Sequence, residues 1–162
     1  ELEISKSGLF AHFGSKEGLQ LAVIDHARSS FVDEVMRPSV KAARGEPRLR
    51  EVFSRWVTGE DRPGGCPFIA AASEMDDEPG PVRDRLVSDE IDFLDSLAQM
   101  ARGGVSEGHF RADLDPDQLA FELHGVMMAY HPSHRLMRNP MATARAERAI
   151  DRLLDAARPS TT

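Results

Sequence analysis

Aromatic side chains are scarce in this 162-residue chain, which has eight Phe, one Trp and one Tyr. Leu, Ala, Val and Met must therefore carry most of the packing, as is common in helical proteins. The single cysteine, Cys66, excludes an intrachain disulfide and fits a reducing compartment. No apolar run approaches the roughly 20 residues that would span a bilayer. Positive charge is in deficit: 20 Lys and Arg stand against 27 Asp and Glu, a formal net charge of −7. That balance argues against coating of nucleic acid by the whole surface but leaves room for a local contact element. No phosphate-cradling glycine loop, His-Glu-x-x-His pair, nucleophile elbow or triad spacing is present, so no enzyme is expected. A signal peptide and an initiator methionine are also missing. The chain opens at Glu1, and further residues are expected upstream.

The residues that are present repeat with a helical period, and no segment alternates as a strand would. Leu49, Val52, Phe53, Trp56 and Val57 form one stripe; Leu19, Val23, Ala27, Phe31 and Val35 form another, which Pro38 is expected to stop. Leu119, Leu123, Val126, Met127 and Tyr130 make a third, and Ile150, Leu153, Leu154 and Ala157 a fourth. Asp115-Pro116 and Asn139-Pro140 read as N-caps with proline at the first helical position, while Gly45, Gly59 and Gly103-Gly104 read as stops. The length allows one domain, or one domain plus a fragment of another. The spacing predicts an all-α protein with helices near 5–13, 15–37, 47–58, 67–76, 81–102, 116–137 and 140–157. The segment 59–66, GEDRPGGC, is the clearest loop, and only the tail at 159–162 is expected to be disordered.

The opening stretch ISKSGLFAHFGSKEGL is the least ordinary part. Ser5 can cap a short helix whose Leu9, Phe10 and Phe13 need a core, while Lys6, Ser7, Gly8, Ala11 and His12 offer small or polar groups for close approach. Gly14 breaks this helix and Ser15 caps the next. The free N–H groups there, beside Lys16, form a candidate phosphate anchor. From physics alone the segment is either a DNA-reading helix followed by a backbone clamp or a short capped helix that merely packs.

The pattern Ile4, Ser5, Leu9, Phe10, His12, Phe13, Ser15, Lys16, Glu17, Leu19 resembles the end of the DNA-binding domain of tetracycline-repressor (TetR) family regulators. Departures are Glu3 in place of the usual turn glycine, Gly8 where Thr is common, and Phe10 where Tyr is common. The stretches DPDQLAFELHGVMMAYH and ARAERAIDRLL are similar to that family's last two long helices. The resemblance implies residues 1–20 as the end of a helix-turn-helix domain and 21–158 as a helical effector-binding and dimerisation domain. It further implies that Lys6, Ser7 and Ala11 face base edges while His12 and Lys16 meet phosphates. Leu119, Leu123, Gly125, Val126, Ile150, Leu153 and Leu154 would pair two subunits, setting the reading helices about 34–36 Å apart on a palindromic operator, the competing reading being that these stripes bury only intrachain core. Trp56, Phe68, Met75, Phe93, Leu97, Met100 and Met127 would line an effector pocket among the central helices, although each also suits plain core.

The expectation is thus a cytoplasmic, ligand-responsive repressor that binds double-stranded DNA as a homodimer and is released by a largely apolar small molecule. No cofactor, metal or membrane is expected. The alternative is a helical ligand-binding or scaffold dimer without operator recognition. His124, His131 and His134 raise a metal-dependent reading, but their spacing is not that of a ligand set. The run Glu74, Asp76, Asp77, Glu78 reads as a solvated helix end, and Cys66 as an inert thiol.

Overall fold

The computed structural model describes residues 12–160. Six helices run through them: α1 (Lys16–Phe31), α2 (Glu46–Gly59), α3 (Pro67–Met75), α4 (Pro81–Ser106), α5 (Pro116–Arg135) and α6 (Ala142–Ala157), with no strand among the described residues. The expected all-α class holds. The first helical segment near 5–13 lies mostly outside the described residues, and only His12 and Phe13 of it are seen as helix.

Three helix ends differ from the sequence expectation. Pro38 does not stop α1. The helix continues through a π-helical turn, Val32–Met36, into a last turn, Arg37–Ser39. Arg37 donates its N–H to Val32 rather than to residue 33, and this wider turn makes room for a proline ring that would clash in a regular one. The buried Ser39 hydroxyl donates to the Val35 carbonyl at 2.6 Å and closes the segment. Of the expected stripe, Val23 is exposed and its neighbour Ile24 is buried in its place, while Val35 is buried and Phe31 packs against the main core.

Gly103 and Gly104 do not end α4, which runs on to Ser106. Both are buried, and at Gly104 a close approach requires glycine. A Cβ on Gly45 would sit 2.6 Å from the Gly104 Cα, and one on Gly104 would collide with the Phe110 ring. Gly45 is likewise no stop but the residue that leads into α2. At α6, Asn139 accepts the Met141 N–H in a preceding turn at 2.9 Å, and the helix starts at Ala142 without a side-chain cap. The Asp115 cap is as expected, its carboxylate accepting from the N–H groups of Asp117 and Gln118.

The main core lies where α2, the second half of α4, α5 and α6 meet. It includes Val52, Leu97, Ala101, Leu119, Leu123, Met127, Ile150 and Leu154. The α4–α5 and α5–α6 pairs make the most extensive contacts. A second, much smaller cluster of Ile24, Val82 and Leu86 joins α1 to the start of α4. Helix α3 buries none of its residues completely.

Candidate functional site

The looser packing on the α1, α3 and first-half α4 side leaves a cavity of about 580 Å³. That is ample for a drug-sized molecule. Its body is apolar. Phe31 and Val32 come from α1 and the turn that continues it, Trp56 from α2, Phe68, Ile69 and Met75 from α3, Leu86 and Phe93 from α4, and Met127 and Met128 from α5. The rings form an edge-to-face set, Phe31 lying 6.4 Å from Phe68 and 5.3 Å from Phe93 between centroids.

Of the seven residues expected to line a pocket, Trp56, Phe68, Met75, Phe93 and Met127 do so. Leu97 and Met100 do not, and this is a correction. Along α4 the cavity wall ends at Ser96; beyond it the helix is sealed against the main core, where Leu97 is buried and Met100 packs. Sequence reasoning missed a band of charge. Arg28 on α1 bonds Asp92 at 2.7 Å and Asp89 at 3.3 Å on α4, and Arg85 bonds Asp89 at 3.2 Å from the other side. His124 on α5 meets Glu90 at 3.1 Å and lays its ring 5.9 Å from that of Phe93. A signal existed: Asp89 sits at the helical spacing of Val82, Leu86 and Phe93, a carboxylate inside an apolar stripe.

Cys66 reaches the cavity wall from the loop before α3. Burial pushes its thiol up, more than the nearby backbone N–H groups of Ile69 and Phe68 bring it down, so it is held protonated at neutral pH. That loop is pinned from α5. His131 bonds the fully buried Glu60 carboxylate at 2.6 Å, His134 bonds Asp61 at 2.8 Å, and Arg135 donates to the carbonyls of Glu60 and Arg62 at 2.5 and 3.0 Å. Each histidine thus holds its own carboxylate, and no group of metal-ligating side chains occurs among the described residues.

At the other end of α1, Ser15 caps the helix by accepting the Gly18 N–H at 2.9 Å. His12 and Lys16 are both exposed at this end. Lys6, Ser7 and Ala11 lie outside the described residues. Lys16 and Glu17 border a second cleft of about 320 Å³ whose wall shares Met75 and Arg83 with the main cavity.

The expected subunit contacts need a larger correction. Leu119, Leu123, Ile150 and Leu154 are core of this chain, Leu154 with 0% exposure, and so have no surface to offer a second subunit. Val126 and Leu153 are half-buried, and Gly125 is open, with nothing within 4 Å of the point where a methyl group would stand. The apolar groups that do face outward on this side are Phe121, 68% exposed, with Leu136, Met137 and Met141 beyond the end of α5.

An all-α bundle that walls an apolar cavity, entered by a helix rising directly from the opening segment, has the architecture of the C-terminal domain of helical transcriptional regulators. Residues 45–150 match the family described as tetracyclin repressor-like, C-terminal domain, and the chain belongs to that family. No curated protein sequence matches it significantly. Among solved structures, it resembles a TetR-family transcriptional regulator from Streptomyces coelicolor at 20% identity and a TM-score of 0.81, covering 96% of this chain and 79% of that one. A TetR transcriptional regulator from Chloroflexus aurantiacus is 25% identical with a TM-score of 0.77, over 94% of this chain and 77% of the other. AibR, solved in complex with isovaleryl coenzyme A and operator DNA, is 21% identical with a TM-score of 0.70, over 97% and 82%. The family is one of transcriptional regulators, not of enzymes. No described helix is long and apolar enough to cross a membrane.

Proposed function

We propose that the protein is a ligand-responsive transcriptional repressor that binds a palindromic operator as a homodimer and lets go when a small, largely apolar molecule enters the cavity. The observation that carries this reading is the double role of α1. Its cap Ser15 and first residue Lys16 stand at the end of the opening segment, and its Arg28 and Phe31, with Val32 just beyond, form a cavity wall. A ligand that displaces that wall moves the helix on which the DNA-contacting end depends. Any difference in its affinity for the two arrangements is the free energy by which DNA binding weakens, typically about 1–3 kcal/mol.

In this reading Lys6, Ser7 and Ala11 contact bases, and His12 and Lys16 contact phosphates. The helix N-terminus at Lys16 adds its own partial positive charge. The subunits meet through the outward side of α5 and α6, where Phe121, Gly125, Val126 and Leu153 remain to be covered.

A gel-shift measurement with the full-length protein and the DNA upstream of its own gene tests the operator function. Lys16→Ala should weaken binding to every sequence and lower the salt slope by about one phosphate contact. Unchanged affinity and slope would remove the clamp from the account.

A further inference from the structure

The charge around the cavity points to the kind of molecule it takes; the inference rests on the cavity being the effector site, as proposed above. Four carboxylates line the cavity, Asp76, Asp89, Glu90 and Asp92, against two guanidinium groups, Arg28 and Arg83. Nor are these cations free. Arg28 is shared between Asp89 and Asp92, and Arg83 donates through Nε to the backbone carbonyl of Asp76. Asp89, buried, is further held by Arg85 from outside the cavity. Among the described residues, Glu90 has only the imidazole of His124 opposite it. An anionic ligand would meet this excess of negative charge and would have to pull Arg28 away from two carboxylates.

A cation meets the opposite situation. Asp92 and Glu90 flank the cavity-facing side of α4, Asp92 towards Arg28 on α1 and Glu90 towards His124 on α5, with Phe93 between them, whose ring belongs to the aromatic set with Phe31 and Phe68. Aromatic faces attract a positive charge that carries little hydration, and carboxylates at the rim add to that attraction. We infer that the cavity takes a lipophilic cation, with its apolar body against the Phe31, Phe68 and Phe93 rings and its charged head at Asp92, Glu90 adding attraction from farther off. The head competes there with Arg28. Replacing Arg28 at Asp92 removes one of the ties that hold α1 to α4, so the same binding event loosens the helix that leads to the DNA-contacting end.

Three probes with one phenylalkyl body separate charge from shape: 4-phenylbutyltrimethylammonium, its neutral tert-butyl isostere and 5-phenylpentanoate. Trp56 is the only tryptophan and lines the cavity, so its fluorescence reports occupancy in the full chain. The cation should bind about tenfold or more tighter than the neutral isostere, and the carboxylate weakest. In an E90Q/D92N double variant the ratio of cation to neutral affinity should fall towards one, with the neutral probe's affinity kept. Arg28→Met, which removes the competitor, should tighten the cation further. Equal binding of the cation and the neutral isostere, or a ratio unchanged in the double variant, would overturn the inference while leaving the cavity as the effector site. Silence of Trp56 and of calorimetry towards all three probes would sink that cavity reading and this inference together.

Discussion

The two halves of α4 live in different surroundings. From Leu97 to Gly104 the helix is pressed into the main core, with Leu97, Ala98, Ala101, Gly103 and Gly104 all buried. From Val82 to Ser96 it borders the cavity, with Val87 and Ile91 exposed and its one buried charge, Asp89, held between two arginines. One continuous helix therefore links a close-packed platform to a region with room to rearrange. Close-packed interiors resist deformation, whereas regions with few buried apolar contacts open at low cost. The lesson is that the α1, α3 and first-half α4 side has the room that the proposed ligand binding and movement need, and that α5 and α6 hold the frame.

The largest effect that would test this contrast is expected where the α5 frame holds the loop that leads into α3 on the cavity side. His131→Leu leaves the buried Glu60 carboxylate without its partner and should cost about 3–5 kcal/mol of unfolding free energy in a denaturant titration. A loss below about 1 kcal/mol would mean that water already reaches Glu60. Next comes the platform. Leu154→Ala, at a fully buried site, should cost about 2–5 kcal/mol. On the cavity side, Met75→Ala should lower stability clearly less, because the half-buried Met75 already borders empty space. Equal losses at the two positions would erase the distinction between the halves. A smaller change, about 1 kcal/mol, is expected for Asp115→Ala, which strips the α5 cap.

The smallest effect concerns acid. Burial acts to raise the Glu46 carboxyl, but hydrogen bonds from Arg158 and Arg50 outweigh it and its pKa lies below the ordinary value of 4.5. A group with a depressed folded pKa stabilises above its unfolded value, and that contribution is lost as pH falls through the folded one. Glu46→Gln should therefore flatten the decline of stability below about pH 4.5, with little change in slope near neutrality. An unaltered acid limb would show that the Arg50 and Arg158 contacts do not persist in solution.

How much of this is legible in the sequence depends on what a one-dimensional pattern can encode. Helical period and caps point to the all-α class and most helix cores, because both are local. Gly103 and Gly104 read as a stop because the role of Gly104 depends on Gly45 and Phe110, which sequence spacing does not bring together. Size and polarisability mark Trp56, Phe68, Met75, Phe93 and Met127 as cavity-lining, but depth along α4, which excludes Leu97 and Met100, has no sequence signature. The same limit explains the interface correction. A stripe such as Leu119, Leu123 or Ile150, Leu154 says that a face is buried, and cannot say whether its cover is the same chain or another. The Arg28, Asp89 and Asp92 ties join residues more than 60 positions apart, beyond any periodic signal.

Coupling between cavity and DNA is the central claim, and it can be measured without knowing the ligand. Ala72→Trp places a large side chain in the cavity wall opposite α4 and imitates occupancy. In the full-length protein its operator affinity should fall at least about fivefold relative to wild type, with helicity and subunit state unchanged. Operator affinity equal to that of wild type, in a variant whose cavity no longer admits the phenylalkyl probes, would contradict the coupling.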